Sequence, residues 1–339
     1  MILVKAIAML KKNLSVKTKE ILKSIVENIL VLFDYFYDVG RYYRYSGMTF
    51  SVNSREKLKA VITINYHVIE KGLSFHHPRL GFGQPVLKRL VYFINEYVAL
   101  YGFDKTIFYA IGTVKSYIDF HDPLPFECKY LAEFYLKYED ALSNTEANLG
   151  GVVAIEKKYI LSSLKGSFRD LALSRHSVRH FDGCMIPDQE IKEAIETARN
   201  APSVCNRPTT RIYVYSSSEM KEKILSLQNG NRGFGDQASH VIVVASELRC
   251  FNGAKERNQS FVDGGLMAMS LVYALHGQGL GTCFLNWSVG ARQDIRLRQV
   301  ISIPASNNII TLIAVGGLPR KFNVAQSNKV AFDDVVSFE

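Results

Sequence analysis

The chain of 339 residues has no run of 18 or so apolar residues, no Cys-x-x-Cys pair, no acidic excess and only one tryptophan. Without a long apolar run, the pattern holds no membrane-spanning helix. The five cysteines (128, 184, 205, 250 and 283) are scattered, which argues against a disulfide framework and against a zinc site. A reducing cytoplasm is the expected setting. The opening "MILVKAIAMLKK" carries lysines inside and after its short apolar run and no small-residue cleavage site, an order wrong for a secretory signal. No helix-turn-helix or RNP-like motif accompanies the net charge of +9, so nucleic acid is not an expected partner. No Gly-x-Gly-x-x-Gly opens a helix, so a pyrophosphate site of the dinucleotide-binding type is not indicated.

What is present is globular: 47% hydrophobic and 22% charged residues, with 18 Tyr and 20 Phe suited to large cores or to stacking on flat ligands. The positive charge is diffuse. Residues 1–165 hold 22 Lys+Arg against 16 Asp+Glu, and the remainder 19 against 16. The exception is residues 1–23, with six lysines and one glutamate, either a solvated helix face or a weak contact for an acidic membrane surface.

Residues 1–164 read as a mainly helical N-terminal domain. Ile21, Leu22, Ile25, Ile29, Phe33 and Phe36 recur at helical spacing, as do Leu87, Leu90, Val91, Ile94, Val98 and Tyr101, with Gly102 placed as a stop. "PFECKYLAEFYLKYEDALSN" is a third such stretch, and "SNTEANLGG" breaks the pattern before a boundary near 165. Residues 165–339 alternate helices with strands. Pro187 opens a helix whose Ile191, Ala194, Ile195 and Ala198 share one face. "RIYVYSS" and "HVIVVAS" bracket a helix capped by serine. The apolar "VDGGLMAMSLVYALHG" precedes the runs "GTCFLNW" and "NNIITLIAVGG". This is an α+β pattern, a sheet covered by helices on both faces.

Within it, "SRHSVRHF" (174–181) concentrates cations and hydrogen-bonding groups. Arg175, Ser177 and Arg179 alternate, so an extended backbone projects them to one side, a donor set for phosphate or another oxyanion. A solvated helix face is the alternative. "NAPSVCNRP" (200–208) is a small polar loop able to offer Asn206 to a planar ligand edge, or an ordinary helix-to-strand turn.

In order and spacing, "SRHSVRHF", "PDQEIKEAIETARNAPSVCN", "DGGLMAMSLVYALHGQGLGTCFLN" and "IAVGGLP" resemble the nitroreductase family of FMN-dependent oxidoreductases, over about residues 165–339. The resemblance implies a mixed, largely antiparallel sheet flanked by helices. It also implies bound FMN, NADH or NADPH as electron donor, and a homodimer with FMN at the interface. Arg175 and Ser177, with His176 beside them, would hold the phosphate and ribityl end. Arg179 would sit at the flavin N1/O2 edge, where a fixed cation stabilises the charge of the reduced ring and so serves catalysis. Asn206 would bond the polar rim, and backbone N–H groups of Leu285, Asn286 and Trp287 would reach N5. Lys329, or else Arg320, would complete the phosphate site.

The sequence departs from the family after Asn206, where "NRPTT" lacks the usual Gln and aromatic residue, and at "CFNGAKERNQSF" (250–261), which is short for an active-site cover. Both fall where substrate enters, which leaves the acceptor, and nitro compounds in particular, unassigned. An alternative class is a flavin-binding or anion-binding interaction module without turnover, docking through its basic helical half. Cys205 and Cys283 lie in the site motifs but have no activating neighbour in the sequence, so packing is their expected role.

In the first half, "NYHVIEKGLSFHHPRLGFG" (65–83) places His67, Glu70 and Lys71 on one helix face, then Gly72 as a stop and a loop with His76, His77 and Arg79. The spacing matches no metal site. Lys71 and Arg79 read either as parts of a helix ending or as cations facing an anionic substrate, on a loop able to cover the flavin.

Overall fold

The computed structural model describes residues 15–45, 55–122, 129–143, 148, 150–251 and 254–339. Most of the six-lysine segment, up to residue 14, lies outside them, as does Cys128. Helix α1 (Val16–Tyr45) has the anticipated periodicity, yet Ile21, Ile25, Ile29, Phe33 and Phe36 on it are exposed. A 3.6-residue period specifies a helix with an apolar stripe but names no partner for that stripe. Among the described residues, α1 approaches the second half at the short turn Ala254–Glu256.

The next four helices form one core. They are α2 (Arg55–Leu73), α3 (Gln84–Tyr101), α4 (Lys105–His121) and α5 (Lys129–Lys137). Ile62 and Ile69 of α2, Leu87, Leu90 and Ile94 of α3, Ile111 and Val114 of α4, and Phe134 of α5 meet in it. Each such buried side chain contributes about 1.5–3 kcal/mol relative to exposure. Asp104 caps α4 by accepting from Ile107 N, and accepts from Tyr97 Oη at 2.6 Å, tying α3 to α4. Gly102 ends α3 at φ 72°, its N–H donating to Val98 O.

The chain leaves this bundle pressed against α4. A Cβ on Gly150 would lie 2.3 Å from Tyr109 O, so only glycine passes there. Strand β1 (Val152–Glu156) follows, then α6 (Lys157–Ser163). Both precede the expected division near 165, but β1 pairs antiparallel with the late strand β6 (Lys321–Ala325), and Ile160 of α6 packs into the core of the second half. Val152 meanwhile rests on the helical core, so β1 bridges the two halves.

The second half contains α7 (Phe168–Ser174), α8 (Asp188–Ala198), β2 (Thr210–Tyr215), α9 (Ser218–Ser226), β3 (His240–Glu247) and α10 (Gln259–Gly277). It continues with β4 (Gly281–Asn286), α11 (Ala291–Ile301) and β5 (Asn307–Gly316). The strands make an antiparallel sheet ordered β2-β3-β5-β4, with Val243 opposite Leu312 and Cys283 opposite Ala314. Alternation assigns Val241, Val243, Leu312 and Cys283 to the face covered by α9 and α11. Ile242, Val244 and Ile313 face α8 and α10. Both faces are covered, which explains why "HVIVVAS" is apolar without interruption. The α+β architecture is the one the motif order implies.

Candidate functional site

Ser167 accepts from Asp170 N, and Asp170 accepts in return from Ser167 N at 2.7 Å, a capping box that starts α7. The helix stops at Ser174, and Arg175 takes extended geometry (φ −73°, ψ 121°). The segment then runs alongside the start of β4. Ser177 forms a parallel bridge with Thr282, and Val178 N donates to Thr282 O at 2.9 Å. Docking continues as Phe181 N donates to Gln237 Oε1 and the Phe181 ring fills the space beside Gly316. Arg175, Ser177 and Arg179 thus lie on a segment docked beside β4 through the single bridge at Ser177.

Three cations influence the buried Cys283 of β4. Arg179, Lys71 and Arg175 all act on its thiol, but burial outweighs them and pushes the thiol above its ordinary range, so it stays protonated. Lys71, reaching over from α2, is held below its usual range by burial and then by the Arg179 guanidinium. Arg179 is only 7% exposed, and among the described residues no carboxylate pairs with it or with Lys71. A buried cation without a counter-charge is costly, and an anionic ligand relieves that cost. Beside Arg175, burial and the guanidinium lower His176. His276 of α10, bonded to Ser174 Oγ at 2.9 Å, is pushed down to about 4 by burial, then Arg175 and His176. Both imidazoles are therefore neutral near pH 7.

Loop 74–83 is fastened on two sides. Gly81 N donates to His121 Nε2 at 3.0 Å and Tyr117 Oη donates to Phe82 O at 2.8 Å. Toward the second half, His76 stacks on His180 with ring centroids 3.9 Å apart. Gly72 lies inside the last turn of α2, one residue before its end. A Cβ there would strike the Phe82 ring at 2.1 Å, so the glycine serves ring packing rather than acting as a stop. Glu70 is buried and pairs with His67 Nδ1 at 3.0 Å, leaving Lys71 to the neighbouring half.

The remaining sequence-derived residues are spread out. Loop 203–207 holds Cys205 and Asn206 at φ 49° and 54°, unusual for residues with side chains. Buried Asp263 braces it, accepting from Val204 N at 3.2 Å and from Thr209 Oγ1 at 2.9 Å. Asn206 lines a hollow with Arg207 and Arg199, different from the one Arg179 lines. Leu285 is buried in the core, Asn286 is exposed, and Trp287 donates from Nε1 to Asp294 at 3.0 Å. At about 3.3 Å per residue, Leu285 and Trp287 lie roughly 10–16 Å along the chain from Thr282, at the far end of β4 from the basic segment. Arg320 is exposed on the β5–β6 turn, its carbonyl accepting from Lys157 N, and Lys329 is exposed beyond β6. Arg79 and Arg232 line the same cavity as Lys71 and Arg179. Arg232 was not anticipated from the sequence; its signal was the glycine-rich "NGNRGFG", which reads first as a helix stop. Among the described residues, no three His, Cys, Asp or Glu side chains gather to hold a metal ion. Nor is any helix among them long and apolar enough to cross a membrane.

Comparison with known proteins covers this same region. Residues 172–229 and 222–317 match the model of the nitroreductase family. The protein named "Putative NAD(P)H nitroreductase YdgI" of Bacillus subtilis is 31% identical over 101 residues, 30% of this chain and 48% of that one, so the match spans about half of the relative. A nitroreductase family protein from Streptococcus pneumoniae superposes with a TM-score of 0.44 at 20% identity, over 51% of this chain and 100% of that one. An FMN-dependent nitroreductase from Clostridium difficile gives 0.38 at 18% identity, over 42% and 83%. The basic segment, loop 203–207, apolar helix α10 and strand β4 all lie inside the residues that match the nitroreductase family model, so the second half of this chain is similar to that family.

Proposed function

We propose that the protein is an FMN-dependent oxidoreductase that passes electrons from NADH or NADPH to a small acceptor. The observation carrying this reading is the buried Arg179, paired with no carboxylate among the described residues, on the same extended segment as Arg175 and Ser177, which docks beside β4 within the residues that match the family model. The donor set fits the cofactor. Two guanidinium groups and the Ser177 hydroxyl on alternate positions of an extended segment suit a phosphate and its ribityl chain, and the buried Arg179 suits an anionic ring edge. Bound FMN would supply hydride acceptance and electron donation.

The chain's own residues position and polarise. Arg175 and Ser177 bind the phosphate end, and the neutral His176 adds a hydrogen-bonding group without charge. Arg179, out of water and facing no carboxylate, holds a fixed positive potential that favours the reduced, more anionic ring. The protonated Cys283 packs beneath the cations and adds no competing negative charge. Lys329 or Arg320 would add a second phosphate contact, and the N–H groups from Leu285 to Trp287 would meet the other end of the ligand.

A homodimer is part of the proposal. Helix α10 buries one face against the sheet, yet Phe261, Val262 and Leu266 on its other face are exposed. Apolar residues all round a helix suit one covered on both sides. Pairing across that face would bring Asn206 of one copy toward the basic segment of the other, accounting for their separation within one chain. The test is an absorption spectrum of purified or FMN-reconstituted protein, followed by anaerobic NADH and NADPH. About one FMN per subunit, bleached by either donor, supports the reading. Failure to bind FMN at high micromolar concentration removes it.

A further inference from the structure

A cavity of about 620 Å³ lies between the two halves, a volume typical of small-molecule sites. Four cations line it: Lys71 and Arg79 from the helical half, Arg179 and Arg232 from the other. No carboxylate lines it among the described residues, and none of the four makes an ion pair there. Phe75 and Phe82 form part of its wall. Lys71 and Arg179 are the less exposed pair, and Arg79 and Arg232 the more exposed pair. Neither Arg175 nor Ser177 lines the cavity, so only Arg179 is common to it and to the proposed phosphate-binding segment.

We propose that this cavity is a subsite for a small aromatic carboxylate, with Lys71 and Arg79 of the helical half as its specificity-determining cations. The inference rests on the reading of the adjacent segment as a flavin site only for its role in turnover; the anion preference stands on the cavity itself. Aromatic walls contribute flat apolar contact area, while several uncompensated cations focus a positive potential into the hollow. A carboxylate therefore enters favourably and a neutral isostere gains only the ring contact. The walls are preformed. The hydrogen bonds from Gly81 and Tyr117 and the His76–His180 stack fix loop 74–83 before a ligand arrives, which limits the ordering cost of binding. The helical half would thus select the acceptor, the step that the departures near Asn206 leave unspecified.

The experiment compares benzoate with its neutral isostere benzamide by calorimetry on the full chain loaded with FMN, reading FMN content in parallel. Wild type should favour benzoate by on the order of tenfold. Lys71→Met should collapse that ratio toward one. Arg79→Gln, at an exposed position, should weaken benzoate severalfold with benzamide affinity and FMN content unchanged. Equal affinity for benzoate and benzamide in wild type overturns the proposal. So does loss of FMN in step with benzoate in Arg79→Gln, which would assign the cavity to the cofactor. Wild type that prefers benzoate but binds no FMN supports the anion subsite and overturns the flavin reading instead.

Discussion

Replacing Arg175 by alanine isolates the phosphate end of the site. The side chain leaves an extended residue at the end of α7, so its loss removes no helical hydrogen bond. Its neighbours His176 and His276 are held neutral near pH 7 and cannot take over its charge. A charge-assisted hydrogen bond to phosphate contributes about 1.5–3 kcal/mol, so the Kd for FMN should rise about 10- to 150-fold. Arg175→Lys should fall between the two, because a point charge remains while the planar fork is lost. Arg169→Ala, six residues earlier in the first turn of α7 and exposed, is the control for general loss of positive charge. Equilibrium titration of flavin fluorescence at fixed salt measures all three. A Kd for Arg175→Ala within threefold of wild type, or an equal loss in Arg169→Ala, refutes the assignment of Arg175 to the phosphate.

Three further outcomes are expected. Arg179→Ala should retain FMN but lower its reduction potential by tens of millivolts, measured by dye equilibration; an unchanged potential would show that the buried cation does not face the ring. Stability should fall with pH between about 6.5 and 4, because the unfolded chain protonates His276 while the native ring, pushed down to about 4, resists. Allowing for partial access of solvent, that loss is about 2–3 kcal/mol at pH 4. His176 and His180, also lowered, add in the same direction, so urea unfolding of His276→Gln should give a flatter profile over that window. Asp263→Ala should destabilise by about 2–4 kcal/mol, since it leaves Val204 N and Thr209 Oγ1 unpaired in a buried place. A melting temperature unchanged in that variant would mean the strained loop is held by other contacts.

Local rules made much of the fold legible. Period-3.6 stripes located α3 and α8, Gly102 marked a stop by its positive φ, and Ser167 and Ser217 capped helices because their hydroxyls reach nearby N–H groups. The alternation of Arg175, Ser177 and Arg179 needed only an extended backbone, and the four ordered motifs carried the family likeness. Through-space questions were not legible in this way. Strand β1 reads as a weak stretch before a boundary, because its pairing with β6 joins residues some 170 positions apart. The face of α1 reads like any core stripe, and periodicity says nothing about what covers it. Lys71 and Arg79 stand a hundred or more residues before Arg179 and Arg232, and their meeting depends on how the helical bundle docks on the sheet. Local chemistry determined which side chains were available for an anion. Only tertiary packing, which sets dielectric and distance, decided which of those cations are buried together and which remain in solvent.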